Sequence, residues 1–271
     1  MAHLNPSVRL WILVTALAML ASSPARALVS VDERRCIDEV NKGGRKVSLV
    51  QNKAIQSCVR FFSRGLLADP LDLCMAEGIP PKVTINVDKA AARAAKVCDG
   101  LPPSFGPFSI TDQTTVAVQG SFDLLQDVFG PTPIDTVIAT ADPERRCQAT
   151  LLKDLHKCED TRLKEFRKCV RDGIKFGQIE NEEEMELLCL QSPDQIEPRA
   201  KITANCLSKP ASHVAGRCTS PGVALAAAFP GCGQADSAGL VSCIDSAARC
   251  RLCNFAVEVD ALLTDCDLYD D

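Results

Sequence analysis

Apolar residues recur at alternating spacings of three and four over two long stretches of the chain, which is the pattern of an amphipathic helix. The first stretch follows the capping box Ser30-Val-Asp-Glu33, in which Glu33 can reach back to the cap, and ends near Gly65. The second begins at Asp142-Pro143-Glu144 and ends at Gly173. The stripes are Cys36, Val40, Gly43, Val47, Val50, Ala54, Cys58 and Phe61, and then Cys147, Leu151, Leu155, Cys158, Phe166 and Cys169. The pattern predicts two long helices, with a weak point at Gly43-Gly44 that can kink the first.

Both predicted helices carry the same cysteine spacing. Cys36 and Cys58 are 22 residues apart, and so are Cys147 and Cys169. At about 100° per residue, 22 residues place both cysteines of a pair on one face, about 33 Å apart along the axis. After each helix, two shorter segments follow, and each of them ends at a cysteine. The repeated order predicts two helical hairpins that are closed by disulfides.

The hairpin geometry limits which cysteines can pair. The cysteine near the turn faces its neighbour, and the two distal cysteines meet at the open end, because a disulfide requires Cα atoms within about 7 Å. The predicted pairs are Cys36–Cys98, Cys58–Cys74, Cys147–Cys206 and Cys169–Cys189. The pairing of the others stays open, namely Cys158, Cys218, Cys232, Cys243, Cys250, Cys253 and Cys266.

The predicted fold class is mostly all-α, with two disulfide-stapled helical hairpin repeats and a cysteine-rich C-terminal segment. The spacer between the repeats is predicted to be helical from Ser109 to Gly130, with a strand at 114–118 as the alternative. The predicted segments are the first unit at 28–103, the spacer at 104–141, the second unit at 142–210 and the cysteine-rich segment at 211–271.

Residues 1–27 have the features of a secretory signal: a single Arg9, an apolar run at 10–20, and the small-x-small site Ala25-Arg26-Ala27. Eleven apolar residues are too few for a bilayer core, which needs about 20. We therefore expect a secreted or periplasmic protein with no membrane anchor after cleavage. All 15 cysteines follow this region, and thiols in an exported, oxidising compartment pair rather than stay reduced.

Charge and aromatic content exclude some classes of partner. The chain has a net charge of −5, which becomes −7 when the predicted signal takes away Arg9 and Arg26. Only 4% of the residues are aromatic, and the single tryptophan, Trp11, lies in the signal. An acidic chain without stacking platforms is not expected to bind nucleic acid.

The cysteine pattern resembles that of a group of exported, cysteine-rich, mostly helical bacterial proteins whose function is not established. The shared features are the C-x21-C helices, the "AKVC" and "TANC" ends of the return limbs, and the C-terminal C-x6-C-x2-C followed by "DCDLYDD". The resemblance covers most of the chain after the signal and implies neither an activity nor a cofactor. Relatives of this kind continue with a further cysteine, which leaves the pairing of Cys266 open.

Cys250-Arg-Leu-Cys253 is the one short motif with known chemistry. A CxxC can carry out thiol-disulfide exchange, although no βαβ pattern accompanies it here. Haem attachment is excluded because Asn254, and not histidine, follows the second cysteine. A zinc site is the other alternative, since Cys243, Cys250, Cys253 and Cys266 are closely spaced thiols. Structural disulfides remain the favoured interpretation of this segment.

The C-terminal aspartates are a weak candidate for calcium, which prefers carboxylate oxygens. These residues are Asp265, Asp267, Asp270 and Asp271, and they do not match the EF-hand pattern. A solvated acidic terminus is the simpler interpretation.

No catalytic constellation is apparent in the sequence. After the predicted signal only two histidines remain: His156, on the predicted polar side of the second helix, and His213, in a segment that reads as a loop with no acid nearby. The sequence therefore predicts a structural or binding protein, not an enzyme, without a cofactor. An extracellular or periplasmic protein is the expected kind of partner.

Overall fold

The structure is a computed structural model of the chain, and it describes residues 29–77, 82–99, 103–107, 109–131, 133–191, 199–260 and 262–266. The predicted signal at 1–27 and the candidate ligands Asp267, Asp270 and Asp271 lie outside these ranges. Within them the regular structure is entirely helical, so the all-α prediction is confirmed.

Nine helical segments follow one another along the described chain. They are α1 (Val31–Phe62), α2 (Leu71–Glu77), α3 (Lys82–Cys98), α4 (Ile110–Phe129), α5 (Glu144–Lys175), α6 (Glu182–Glu186, prolonged by a π turn at Leu187–Gln191), α7 (a continuous helical run at 199–219), α8 (Leu225–Ala228) and α9 (Ser237–Asp260). A short 3-10 turn at Ile134–Thr136 joins α4 to α5. None of the described helices is long and apolar enough to cross a membrane.

Side-chain caps begin α1 and α4 where the sequence predicted them, whereas Asp142 does not cap α5, which follows Pro143 without a side-chain cap. Ser30 Oγ accepts a hydrogen bond of 3.1 Å from the backbone N–H of Glu33, and Ser109 Oγ accepts one of 3.2 Å from that of Asp112. The Glu33 carboxylate does not reach back to the cap as expected. It accepts a hydrogen bond of 2.5 Å from the backbone N–H of Ser104 instead, because the chain entering α4 lies beside the start of α1.

The end of α5 corrects the sequence prediction. The helix does not stop at Gly173 but continues to Lys175, and Gly177 adopts the positive φ of +66° that ends it. Gly173 lies inside the helix, where an added Cβ would stand 2.5 Å from the Ile179 side chain. Gly173 therefore allows Ile179 to pack closely against α5 and does not terminate the helix.

The helices share apolar cores that cross the predicted segment boundaries. Helix α1 packs against α3, α4 and α5, and α9 packs against α4 and α5. In one of these cores Phe129 and Phe229 meet edge to face, with ring centroids 5.2 Å apart. Around Gly43-Gly44 helix α1 stays continuous, so these glycines admit α3 and α4 at close range and do not break the helix.

Three of the four predicted disulfides are present in the structure. Cys36 pairs with Cys98 and Cys58 with Cys74, with Cα atoms 4.7 and 5.8 Å apart. Cys169 pairs with Cys189 at 5.8 Å. Each hairpin is therefore closed near its turn, and the first is also closed at its open end.

The predicted Cys147–Cys206 bridge is wrong. Cys147 pairs with Cys218, and Cys206 pairs with Cys158. The prediction assumed that the return limb stops at Cys206, whereas α7 continues to residue 219. The 12 residues from Cys206 to Cys218 rise about 18 Å, close to the about 16 Å between Cys158 and Cys147.

The second hairpin is thus a ladder of three disulfides, Cys169–Cys189, Cys158–Cys206 and Cys147–Cys218. In the first hairpin Val47 stands 11 residues after Cys36, in the position that Cys158 has in the second, and it is fully buried. Apolar packing replaces the middle disulfide there.

Candidate functional site

A cleft of about 930 Å³ lies over α5, between α1 and α7. Its floor includes Leu49 from α1 and Ala149 and Thr150 from α5. None of the residues that line it is Phe, Tyr or Trp. The basic residues of its wall come from all three helices: Lys53, Arg146, Lys153, Lys157, Lys209 and Arg217.

The disulfide ladder brings the basic residues of α5 and α7 together. Cys147–Cys218 and Cys158–Cys206 hold the two helices antiparallel and fix their register. Arg146 precedes Cys147 and Arg217 precedes Cys218, so both lie at the same rung. Cations on adjacent helices repel each other, and the covalent bridges hold them side by side despite this repulsion.

Several of these cations form no salt bridge with a described carboxylate, although Asp154 lies near Lys153 and Lys209. Asp160 pairs with Arg45 at 2.6 Å and with Lys157 at 3.5 Å, and Arg146 pairs with Asp142 at 2.9 Å. Four remain: within the part of the chain that the structure describes, no carboxylate lies in salt-bridge range of Lys53, Lys153, Lys209 or Arg217. A strongly positive cleft therefore stands on a protein whose net charge is −5.

His213 faces Asp154 across the cleft wall, with Nδ1 2.6 Å from Oδ2. The Asp154 side chain is largely buried, and burial raises the pKa of its carboxyl in spite of the opposing effect of His213. The His213 side chain is 42% exposed. This pair corrects the sequence prediction, which placed His213 in a loop without an acid nearby.

No family model, curated protein or solved structure matches this chain. The interpretation of the cleft consequently rests on its own geometry and charge.

His156 also differs from its predicted place on a polar face. It is 3% exposed and lies in the contact between α1 and α5, where its Nδ1 is 2.9 Å from Gln56 Nε2. Burial lowers the pKa of its imidazole to about 3, so the ring is neutral at ordinary pH. It contributes a neutral polar group, and not a charge, to the cleft.

Behind the cleft, Glu159 is buried between the two long helices. Its carboxylate accepts a hydrogen bond of 3.0 Å from Ser48 Oγ and another from Asn52 Nδ2. Burial raises the pKa of this carboxyl to about 7, against the effect of both hydrogen bonds. Its ionisation thus falls in the physiological pH range.

The two cysteines of the CxxC segment do not form a disulfide with each other. Cys253 pairs with Cys266, with Cα atoms 5.6 Å apart, and Cys243 pairs with Cys232. Cys250 keeps its thiol, which is buried in α9 and accepts a hydrogen bond of 3.5 Å from Asn254 Nδ2. The structure therefore supports neither the redox hypothesis for Cys250 and Cys253 nor a zinc site, because three of the four proposed zinc ligands are bonded to sulfur.

No other group of described residues supports a metal site. Cys158, Cys206 and Asp245 lie within 4.8 Å of one another, but the two sulfurs form a disulfide and Asp245 pairs with Arg162. Asp265 is the one described member of the candidate calcium set, and the other three lie outside the described residues.

Sequence reasoning missed the cleft although one signal was present. Lys209, His213 and Arg217 recur every four residues, which places them on one face of a helix. Glycine, alanine and proline in this region concealed the helix, and nothing in the sequence indicated which surface would face α5.

Proposed function

We propose that this protein is an exported binding protein, with no catalytic role of its own, that holds a multiply charged oxyanion in the cleft over α5. The observation that carries the proposal is the convergence of Lys53, Lys153, Lys209 and Arg217, none of which forms a salt bridge with a carboxylate of the described residues. Cations gathered in a concave site attract anions and bind phosphate, sulfate or carboxylate oxygens.

The ligand class follows from what lines the cleft. Proteins commonly bind uncharged sugars and bases by stacking them on aromatic side chains. The residues that line this cleft include no Phe, Tyr or Trp. About 930 Å³ is within the usual range of small-molecule sites and larger than a single phosphate needs. A compact molecule with several anionic groups matches both the volume and the charge.

Export is part of the same proposal. Seven disulfides join 14 of the 15 cysteines, a density typical of oxidising compartments outside the cytosol. Secretion or a periplasmic location agrees with the signal-like residues 1–27.

Calorimetric titration with inositol hexasulfate tests the proposal. This probe carries six sulfate esters whose charge does not change with pH. We expect saturable binding that weakens as salt is raised, and a double variant Lys153→Gln/Lys209→Gln with about tenfold lower affinity. Lys168→Gln is the matched control, since Lys168 is an exposed lysine of α5 that does not line the cleft.

Two results would overturn the proposal. One is the absence of saturable binding at low salt, and the other is an equal loss of affinity in the double variant and in Lys168→Gln.

A further inference from the structure

We infer, on the basis of the proposed anion binding, that His213 makes the cleft pH-responsive, so that it holds oxyanions more tightly in acid than at neutral pH. The inference rests on the contact between His213 Nδ1 and Asp154 Oδ2 and on the place of both residues in the lining of the cleft.

The contact determines which ring nitrogen titrates. A carboxylate only accepts hydrogen bonds, so the nitrogen 2.6 Å from it, Nδ1, carries a proton whether the ring is neutral or charged. The proton that is gained and lost is therefore the one on Nε2. In the neutral ring Nε2 offers a lone pair, and in the charged ring it becomes an N–H donor.

Protonation thus changes the cleft in two ways that act in the same direction. It adds one positive charge to a wall that already contains Lys209 and Arg217, and it replaces an acceptor that repels an oxyanion by a donor that binds it. Histidine is the side chain whose charge ordinarily changes between about pH 5 and 8.

The charged groups around His213 do not cancel this effect. From α5 they are Asp154, Lys153 and Lys157, and from α7 Lys209 and Arg217. Helix α9 also packs against this part of α7; its first two charged residues are Asp245, which pairs with Arg162, and Arg249. At neutral pH Asp154 opposes an incoming anion, and protonated His213 neutralises it.

The other titrating groups can be separated from His213. His156 stays neutral, because burial lowers the pKa of its ring to about 3. Glu159 lies behind the α1 side of the cleft, and its carboxyl has a pKa raised to about 7 by burial, so it must be controlled for. Of the two histidines that the structure describes, His156 is buried and His213 is partly exposed.

The test is calorimetric titration of the exported protein with inositol hexasulfate at constant ionic strength, at about pH 8 and about pH 5.5. We expect wild-type affinity to be about tenfold higher at the lower pH, the effect of one added charge at close range. His213→Gln keeps a donor for Asp154 but does not titrate, so its affinity should equal that of wild type at about pH 8 and change less than about twofold on acidification. Glu159→Gln is the control, and it should keep most of the wild-type pH dependence.

The outcomes separate this inference from the proposal on which it rests. Binding that is equally tight at both pH values, or a His213→Gln variant that keeps the wild-type pH dependence, would overturn the role of His213 and leave anion binding intact. A pH dependence lost in Glu159→Gln and kept in His213→Gln would assign the effect to Glu159. Failure of the probe to bind at either pH would overturn the anion site itself.

Discussion

Ser48 Oγ donates a hydrogen bond of 3.0 Å to Glu159 Oε1 across the contact between the two long helices. The two residues stand 111 positions apart, as do Cys36 and Cys147, so they occupy equivalent positions in the two hairpins. Both side chains are buried. The duplicated units therefore pack against each other through the same position of each helix, and one of the two copies supplies a carboxyl group.

Glu159 makes the stability of the protein depend on pH. Its carboxyl ionises near 4.5 in the unfolded chain and near 7 in the folded protein, so between these values the folded state holds the extra proton. The free energy of unfolding should consequently fall as pH rises from about 4.5 to about 7. Glu159→Gln should flatten this slope and, above about pH 7, be more stable than wild type in denaturant titrations.

The control for this prediction is Glu258→Gln, which removes an exposed carboxylate of α9. It should reproduce the wild-type slope. Parallel pH curves for wild type and Glu159→Gln would contradict the assignment.

The Cys158–Cys206 disulfide should support both stability and binding. Replacing both cysteines by alanine removes the middle of three bridges, and for its separation of 48 residues chain entropy predicts a loss of about 4 kcal/mol in the free energy of unfolding. Affinity for inositol hexasulfate should also fall, because α5 and α7 are no longer held together beside the cleft. The comparison is Cys232→Ala/Cys243→Ala. This variant removes a disulfide that closes an 11-residue separation and does not line the cleft, so affinity should be unchanged. Equal affinities in the two double variants would show that the ladder does not position the cations.

The unneutralised cations should cost stability when no ligand is bound. Lys153→Gln should raise the free energy of unfolding by about 0.5 kcal/mol at low salt, and the gain should disappear at about 1 M salt, where charges are screened. Lys168→Gln should show a smaller change under both conditions. If Lys153→Gln destabilises the protein at low salt, the repulsion that we assign to the cleft is absent.

Replacing two helical glycines by alanine should change the free energy of unfolding in opposite directions. An added Cβ at Gly44 would stand 2.7 Å from the Gln113 side chain and 2.9 Å from Phe255, so Gly44→Ala should destabilise by about 2 kcal/mol in spite of better helix propensity. At Gly120 in α4 nothing lies within 4 Å, and Gly120→Ala should stabilise by about 0.5 kcal/mol or more. Chemical unfolding of both variants measures the contrast, and stabilisation by Gly44→Ala would show that α1 and α4 are not so closely packed.

A non-reducing peptide map should find seven disulfides. Cys147 should be joined to Cys218, and Cys206 to Cys158. Alkylation should label one thiol, at Cys250, and only after denaturation, since this residue is 6% exposed. Recovery of a Cys147–Cys206 peptide would restore the pairing that the sequence predicted and would remove the register that defines the cleft.

Much of the fold is readable from local pattern. The caps at Ser30 and Ser109 are used as the sequence indicates. Each cap satisfies a backbone donor within three residues, so its effect does not depend on the rest of the fold. The 22-residue spacing identified the duplicated hairpins for the same reason, since helix geometry relates residues on one face without reference to a partner.

Contacts between residues that are far apart in the sequence are determined by the tertiary structure. Whether Cys147 meets Cys206 or Cys218 depends on how far α7 continues beside α5, and this depends on packing against α9 as well. The burial of Glu159 and His156 depends on which face of α5 meets α1, and a single helix does not contain that information. The cleft likewise brings together cations from three helices whose relative positions come only from the shared core and the disulfide ladder. The sequence by itself therefore determined the helices and their duplication, and the packing of one helix against another decided which cysteines pair and where charge accumulates.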